Sequence, residues 1–304
     1  HMDLFIPTLS QGLLWSILAL GVYLTFRVLD IADLTVEGSF PLGAAVAARL
    51  LSDGSSPFSA IFAACAAGML AGVVTGWLTT KLKIPALLSG ILTMIALYSV
   101  NLRVMGKANL SLLRQETIFT RFEAFFDDRQ FVILAVGFAA VFFLSLLFYW
   151  FFGTEIGAAI RATGFNPHMI RANGVNTDVT VILGLLLSNG LVAISGALIA
   201  QSNGFADVGM GVGTIVIGLA SVIIGEVLFG SNGFMKALFG SNGFLICLIS
   251  VILGSIVYRA VIALVLELGM PPNDLKLFTA LLVAIALALP LIQGKLLQAR
   301  KAVK

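Results

Sequence analysis

The chain has 304 residues, of which 59% are hydrophobic and only 11% charged, and its mean hydropathy is +1.06; soluble domains run at roughly 45–50% apolar and about 25% charged. A soluble globular fold is excluded, and the fold class expected is an all-α integral membrane protein in a single transmembrane domain, 1–304. The net charge of +3 points to loop orientation rather than to an anionic partner such as nucleic acid.

A helix needs about 20 apolar residues to cross a hydrocarbon core of about 30 Å. In chain order, charge-free runs near that length cover residues 4–26, 54–80, 84–102, 130–154, 179–206, 208–225, 237–258 and 277–294. A ninth, 38–48, is short and follows "RVLDIADLTVEG", in which Asp30, Asp33 and Glu37 are costly to leave facing lipid. It reads as a broken or re-entrant helix, and 208–225 as a second. About nine helical segments are therefore expected. His1 ahead of Met2 reads as a tag remnant, and the first run has neither a basic n-region nor a small-residue cleavage site. Cys65 and Cys247 both stand inside apolar runs, where a small soft hydrophobe is the ordinary case.

Lys81, Lys83, Arg161, Arg171, Lys236 and the tail "KLLQARKAVK" carry unbalanced positive charge. In residues 103–129, by contrast, Arg103, Lys107, Arg114, Arg121 and Arg129 are mixed with Glu116, Glu123, Asp127 and Asp128. The excess of Lys and Arg marks cytoplasmic loops. Nine crossings then put the N-terminus and 103–129 outside, and 153–176 and the C-terminus in the cytosol.

Residues 153–176, "GTEIGAAIRATGFNPHMIRANGVN", are polar between two very apolar runs. Ile156, Ala159, Ile160 and Thr163 fall on one face of a short helix, which Gly164 is expected to end in the left-handed conformation. Asn166 followed by Pro167 predicts an N-cap with proline at N1, and a second short helix from about residue 167 to 173 closed by Gly174. An interfacial loop on lipid headgroups, with Arg161 and Arg171 on phosphates, has the same chemistry.

The stretch "EIGAAIRATGFNPHMIRANGVN" resembles the cytoplasmic coupling segment of bacterial ATP-binding-cassette (ABC) importer permeases of the branched-chain amino acid and sugar type. Gly157, Arg161, Ala162, Gly164, Asn166, Arg171, Gly174 and Asn176 match that pattern. Ile170 stands where the family usually has alanine, and Val175 where it has isoleucine. "LDIADLTVEGSFPLGAA" and "PPNDLKLFTALLVAIALALP" are similar to the subgroup labelled as tryptophan/tyrosine or uncharacterised transport permeases. The resemblance implies a homodimeric permease in the bacterial inner membrane. Its partners would be a cytoplasmic ATPase gripping residues 155–173 and an extracytoplasmic solute-binding protein. No Gly-x-x-x-x-Gly-Lys-Ser/Thr loop occurs in the chain, so ATP hydrolysis is expected in a separate subunit, and no cofactor or metal is expected here.

The chain also suggests an internal repeat. "ADLTVEGSFPLGAAVAARLL" from Ala32 pairs with "ADVGMGVGTIVIGLASVII" from Ala206, and "KIPALLSGILTMIAL" from Lys83 with "GMPPNDLKLFTALLVAIAL" from Gly269. Five crossings separate the copies, so they run in opposite senses, the inverted plan of many transporters. "FGSNGF" at 229–234 recurs at 239–244 and is assigned no role.

Asp33, Thr35, Glu37, Asn203 and Asp207 stand at the mouths of the two broken helices, where a polar solute could meet half-helix termini; capping alone also suits such residues. Gly209, Gly211, Gly213 and Gly218 bare one face of the second, for close packing or for passage. Arg259, inside "ILGSIVYRAVIALVLEL", lies in the outer third of its run, where a contact with Asp207, direct or through water, is expected and snorkelling of the guanidinium to the outer headgroups is the alternative. His168, alone in the cytoplasmic corner, does not make a catalytic constellation. Two transport classes remain: a permease subunit of an ABC importer moving a small solute such as an amino acid, and a secondary transporter with the inverted plan, for which Glu226 and Glu267 stay available.

Overall fold

Proline, glycine and capping side chains set most of the helix ends. In the computed structural model, which describes residues 2–230 and 243–302, α1 (Met2–Tyr23) runs on into a π-helical turn, Leu24–Val28. After α2 (Val36–Ser52), Pro57 at the first turn opens α3 (Pro57–Thr80), and Pro85 precedes α4 (Ala86–Met105), which Gly106 ends at φ 74°. Strand β1 (Asn109–Ser111) and helix α5 (Ile118–Phe122) lead to α6 (Arg129–Phe152). The short helices α7 (Glu155–Phe165) and α8 (Pro167–Ala172) follow, then α9 (Thr177–Asn203), stopped by Gly204 at φ 82°. Strand β2 (Phe205–Asp207), α10 (Thr214–Phe229), α11 (Gly243–Glu267) and α12 (Leu275–Ala302) complete the order.

The protein is an all-α membrane protein but for β1 and β2, which pair antiparallel with Asn109 opposite Asp207. Among the described residues seven helices are long and apolar enough to span: α1 with its π-turn, α3, α4, α6, α9, α11 and α12 with the turn before it. The two segments read as broken are the short ones. At about 1.5 Å per residue, α2 with 17 residues and α10 with 16 measure about 25 Å, less than the core. The tail stays helical to Ala302, past the end of its apolar run. The hexapeptide duplication and Lys236 fall almost wholly outside the described residues.

Helix packing follows the inverted plan. Ser188 and Ser195 on α9 donate to the carbonyls of Gly21 (2.7 Å) and Leu14 (2.9 Å), so α1 and α9 are antiparallel. α9 lies parallel to α2, with Ser39 on Asn189 and Gly43 against the Ala193 carbonyl, and antiparallel to α3, with Gly68 on Asn189 and Gly76 on Ile182. α1 does the same to the other group. It is parallel to α10 (Val22 on Gly218, Arg27 on Glu226) and packs on α11, where Ser255 donates to the Gly12 carbonyl at 2.9 Å. Each first helix thus packs on the second and third helices of the other group. Small residues make this possible, because without a hydrophobic drive between helices in lipid, close backbone approach and interhelical hydrogen bonds must hold them.

Candidate functional site

At the corner between α6 and α9, each turn is closed by its own side chain. Thr154 caps α7, accepting from Gly157 N–H at 3.3 Å. Asn166 Oδ1 caps α8, accepting from Met169 N–H at 3.1 Å, with Pro167 at N1. Gly174 turns the chain at φ 88°, and Asn176 caps α9 by accepting from Asp178 N–H at 3.0 Å. Arg171 braces the last turn, its Nη2 and Nε donating to Thr177 Oγ1 at 2.6 and 3.2 Å. Thr163 on α7 meets Thr180 on α9, hydroxyl to hydroxyl at 2.8 Å.

Gly164 corrects the sequence expectation. It is helical inside α7, not a left-handed stop, and the helix continues to Phe165. Glycine is required for space: a β-carbon there would fall into the Val28 carbonyl and lie 2.9 Å from Leu29 Cα. Gly157 similarly lies against the Phe151–Phe152 backbone. The buried face of α7 is accordingly Gly157, Ile160 and Thr163, while Ile156, expected inside, is 53% exposed.

The eight matched residues therefore divide by job. Gly157 and Gly164 permit contact, Asn166, Gly174 and Asn176 shape the turns, Arg171 braces, Ala162 is half-buried, and Arg161 stands exposed with its guanidinium 5.5 Å from the Phe244 ring. Outward-facing apolar residues were missed: Ile156, Phe165 at 88% exposure and Met169 at 44%. The sequence gives no signal for Phe165: an apolar residue just before an N-cap often packs back on its helix, and only the structure leaves it exposed.

The proposed mouth residues separate into three places. Asp33 and Thr35 are buried in a polar network: Asp33 Oδ2 accepts from Asn189 Nδ2 at 2.9 Å, Oδ1 accepts from Thr35 N–H at 3.0 Å, and Ser39 donates to Asn189 Oδ1 at 2.7 Å. Thr35 and Thr75 hydroxyls meet at 2.7 Å, and Thr75 donates to Thr93 at 2.9 Å, so α2, α3, α4 and α9 are tied together. Glu37 stands apart, accepting from Gly213 N–H at 3.3 Å just before α10. Asn203 is exposed at the end of α9, and Asp207 accepts from Gly209 N–H (2.6 Å) and Asn109 Nδ2 (3.1 Å) beside the β-ribbon. Asn189, Thr75 and Thr93 were overlooked, although polar residues inside apolar runs are the usual marker of such a network.

The bare face before and along α10 resolves into packing. Gly211 lies against the Glu37 carbonyl and Pro41, Gly218 against Val22, and Gly213 is a turn at φ 83°. The expected Arg259–Asp207 pair is absent among the described residues. Arg259 instead stacks its guanidinium 4.3 Å from the Trp15 ring centroid, with Tyr258 at 5.9 Å, because α11 packs on α1 rather than on the ribbon.

A family model described as "Branched-chain amino acid transport system / permease component" matches residues 4–288. The chain is 42% identical over 287 residues to a protein of Clostridioides difficile (strain R20291) named tyrosine transport system permease protein, covering 94% of this chain and 91% of that one. It is 35% identical over 289 residues to the uncharacterized protein RP368 of Rickettsia prowazekii (strain Madrid E), covering 94% and 98%. No solved structure gives a significant match.

Proposed function

Because the chain belongs to the family of permease components of branched-chain amino acid transport systems, we propose that it is the membrane subunit of an ATP-driven importer and that residues 155–173 are where a separate ATPase subunit docks. The observation that carries this is the combination of a rigid corner with an apolar exterior. A braced corner transmits a displacement that a loose loop would absorb, and Ile156, Phe165 and Met169 offer a contact surface beside Arg161.

The displacement has a defined receiver. Gly164 bears on Val28, at the end of a π-helical turn, a local geometry common at functional sites. From there the chain leads through residues 29–35 to Asp33 and the start of α2, while Arg27 in the same turn pairs with Glu226 on α10 at 2.7 Å. Movement of α7 would thus reach the starts or ends of both short helices. Two copies of the chain would present two corners to two ATPases, with the solute path between them, in a bacterial inner membrane with the N-terminus outside and the C-terminus in the cytosol. An extracytoplasmic binding protein would deliver the solute. The name of the Clostridioides relative makes an aromatic amino acid the first substrate to try.

The docking claim is tested by copurifying the proposed ATPase subunit with wild type and with a Phe165→Glu, Met169→Glu double variant. Both side chains point outward, so the variant should fold, and loss of the ATPase is expected. An ATPase retained at wild-type stoichiometry would refute the dock.

A further inference from the structure

Arg259 is a cation at membrane depth without an anion. It is partly buried on α11, its Nε is shut off from solvent with no partner, and among the described residues neither a hydrogen bond nor a carboxylate reaches its guanidinium. What it has is the ring of Trp15 at 4.3 Å, and Trp15 in turn stacks on Phe40 of α2 at 5.1 Å between centroids. A ring face attracts a cation by about 0.5–2 kcal/mol but does not cancel its charge.

The guanidinium does not reach for a membrane surface. α10 and α11 are antiparallel, with Gly225 on Ser250 and Gly254 on Ser221, and α1 runs with α10, so α1 and α11 are antiparallel too. Gly12 lies against Ile256 and its carbonyl accepts from Ser255; three residues further along α1, Trp15 is level with about residues 252–253 of α11. The Arg259 Cα stands about 10 Å beyond that level, at about 1.5 Å per residue. Each helical side chain leans toward its own N-terminus, so the two meet in between, and the guanidinium has turned back from the nearer end of α11 toward the middle of the span. Snorkelling needs the opposite direction.

Hydrocarbon offers this group no acceptor, and an ionisable side chain inside a span normally faces the bundle interior or a water-filled cavity. Its planar fork matches a carboxylate through two parallel N–H···O bonds. Through Trp15 and Phe40 it also adjoins α2, whose Glu37 accepts from Gly213 N–H at the start of α10. Such junctions of short helices are where transporters of the inverted plan hold their solutes.

We propose that Arg259 binds the carboxylate of the transported solute at a water-reached point of the path where α1 and α11 meet, with Trp15 holding the guanidinium in place. The solute class is then an amino acid or another organic acid rather than a sugar, a nucleoside or an amine. This rests on the importer reading above, which copurification of the ATPase decides separately.

The test needs neither the ATPase nor a binding protein. Trp77 and Trp150 are 50% and 67% exposed, and replacing both by phenylalanine leaves Trp15 as the sole tryptophan in the chain held in lipid vesicles. Aqueous iodide is expected to quench it, tyrosine to protect it, and tyramine, which lacks the carboxylate, to give no protection. Arg259→Gln should lower iodide quenching several-fold and abolish the protection. Quenching by lipids brominated in the acyl chain instead of by iodide, or by neither, overturns the site, because Trp15 then faces hydrocarbon or packed protein. Equal protection by tyrosine and tyramine, or protection that survives in Arg259→Gln, overturns the carboxylate contact. In coupled uptake Arg259→Gln should transport tyrosine about tenfold more slowly, the order lost with one charge-assisted hydrogen bond, while the ATPase still copurifies, and Arg259→Lys should recover part of the rate. Unchanged uptake in Arg259→Gln overturns the role in transport.

Discussion

Gly164 of α7 lies against the carbonyl of Val28, at the end of the π-helical turn that closes α1. No side chain fits between them. The contact joins the corner between α6 and α9 to the helix that packs on both halves of the molecule, so small changes there should have large effects. In Gly164→Ala the added methyl must displace backbone, an overpacking cost of about 1–3 kcal/mol. The variant should melt several degrees lower in detergent, and Gly164→Leu lower still or not fold. A melting temperature for Gly164→Ala equal to wild type would mean that the contact is loose.

The buried network gives a graded series. Asn189→Ala removes a donor from Asp33 and an acceptor from Ser39, leaving buried polar groups unpaired at about 1–3 kcal/mol each. Ser39→Ala removes a donor alone and should cost less. Thermal denaturation should rank the two in that order; the reverse order would remove Asn189 from the centre of the network.

Glu37 and Asp207 should now behave differently, although sequence alone treats them alike. Glu37→Gln changes the charge where α10 begins, and uptake should fall with the ATPase still bound. Asp207→Asn touches a turn beside the β-ribbon, and uptake should stay near wild type. Equal uptake defects in both would mean that the ribbon belongs to the solute route.

Arg259 stacks on Trp15 rather than pairing with a carboxylate. Such a contact is worth about 0.5–2 kcal/mol and depends on a planar cation lying on the ring. Arg259→Lys should therefore destabilise by a measurable part of what Arg259→Met does, and Trp15→Leu should lose a similar amount. Full rescue by lysine would assign the residue to snorkelling toward headgroups.

Composition and apolar run lengths made the membrane class, the long helices and the two short ones legible. Polar turn chemistry made the corner legible as well, since Asn166, Pro167, Gly174 and Asn176 act through local backbone geometry that any sequence displays. What stayed hidden depends on neighbours distant in the chain. Gly164 is glycine because Val28 lies against it, and Arg259 finds Trp15 because α11 packs on α1; neither partner is encoded near the residue itself. The exposed Ile156 shows the same limit, because helical periodicity gives a face but not the direction in which tertiary packing turns it.

Uptake of labelled tyrosine into proteoliposomes holding this chain with the ATPase and binding protein proposed for it measures directly whether ATP drives transport through the corner. Uptake is predicted to require internal ATP, to be indifferent to collapse of proton and sodium gradients, and to vanish in the Phe165→Glu, Met169→Glu variant. Uptake by the permease alone, driven by an ion gradient without ATP, would contradict it and make the protein a secondary transporter.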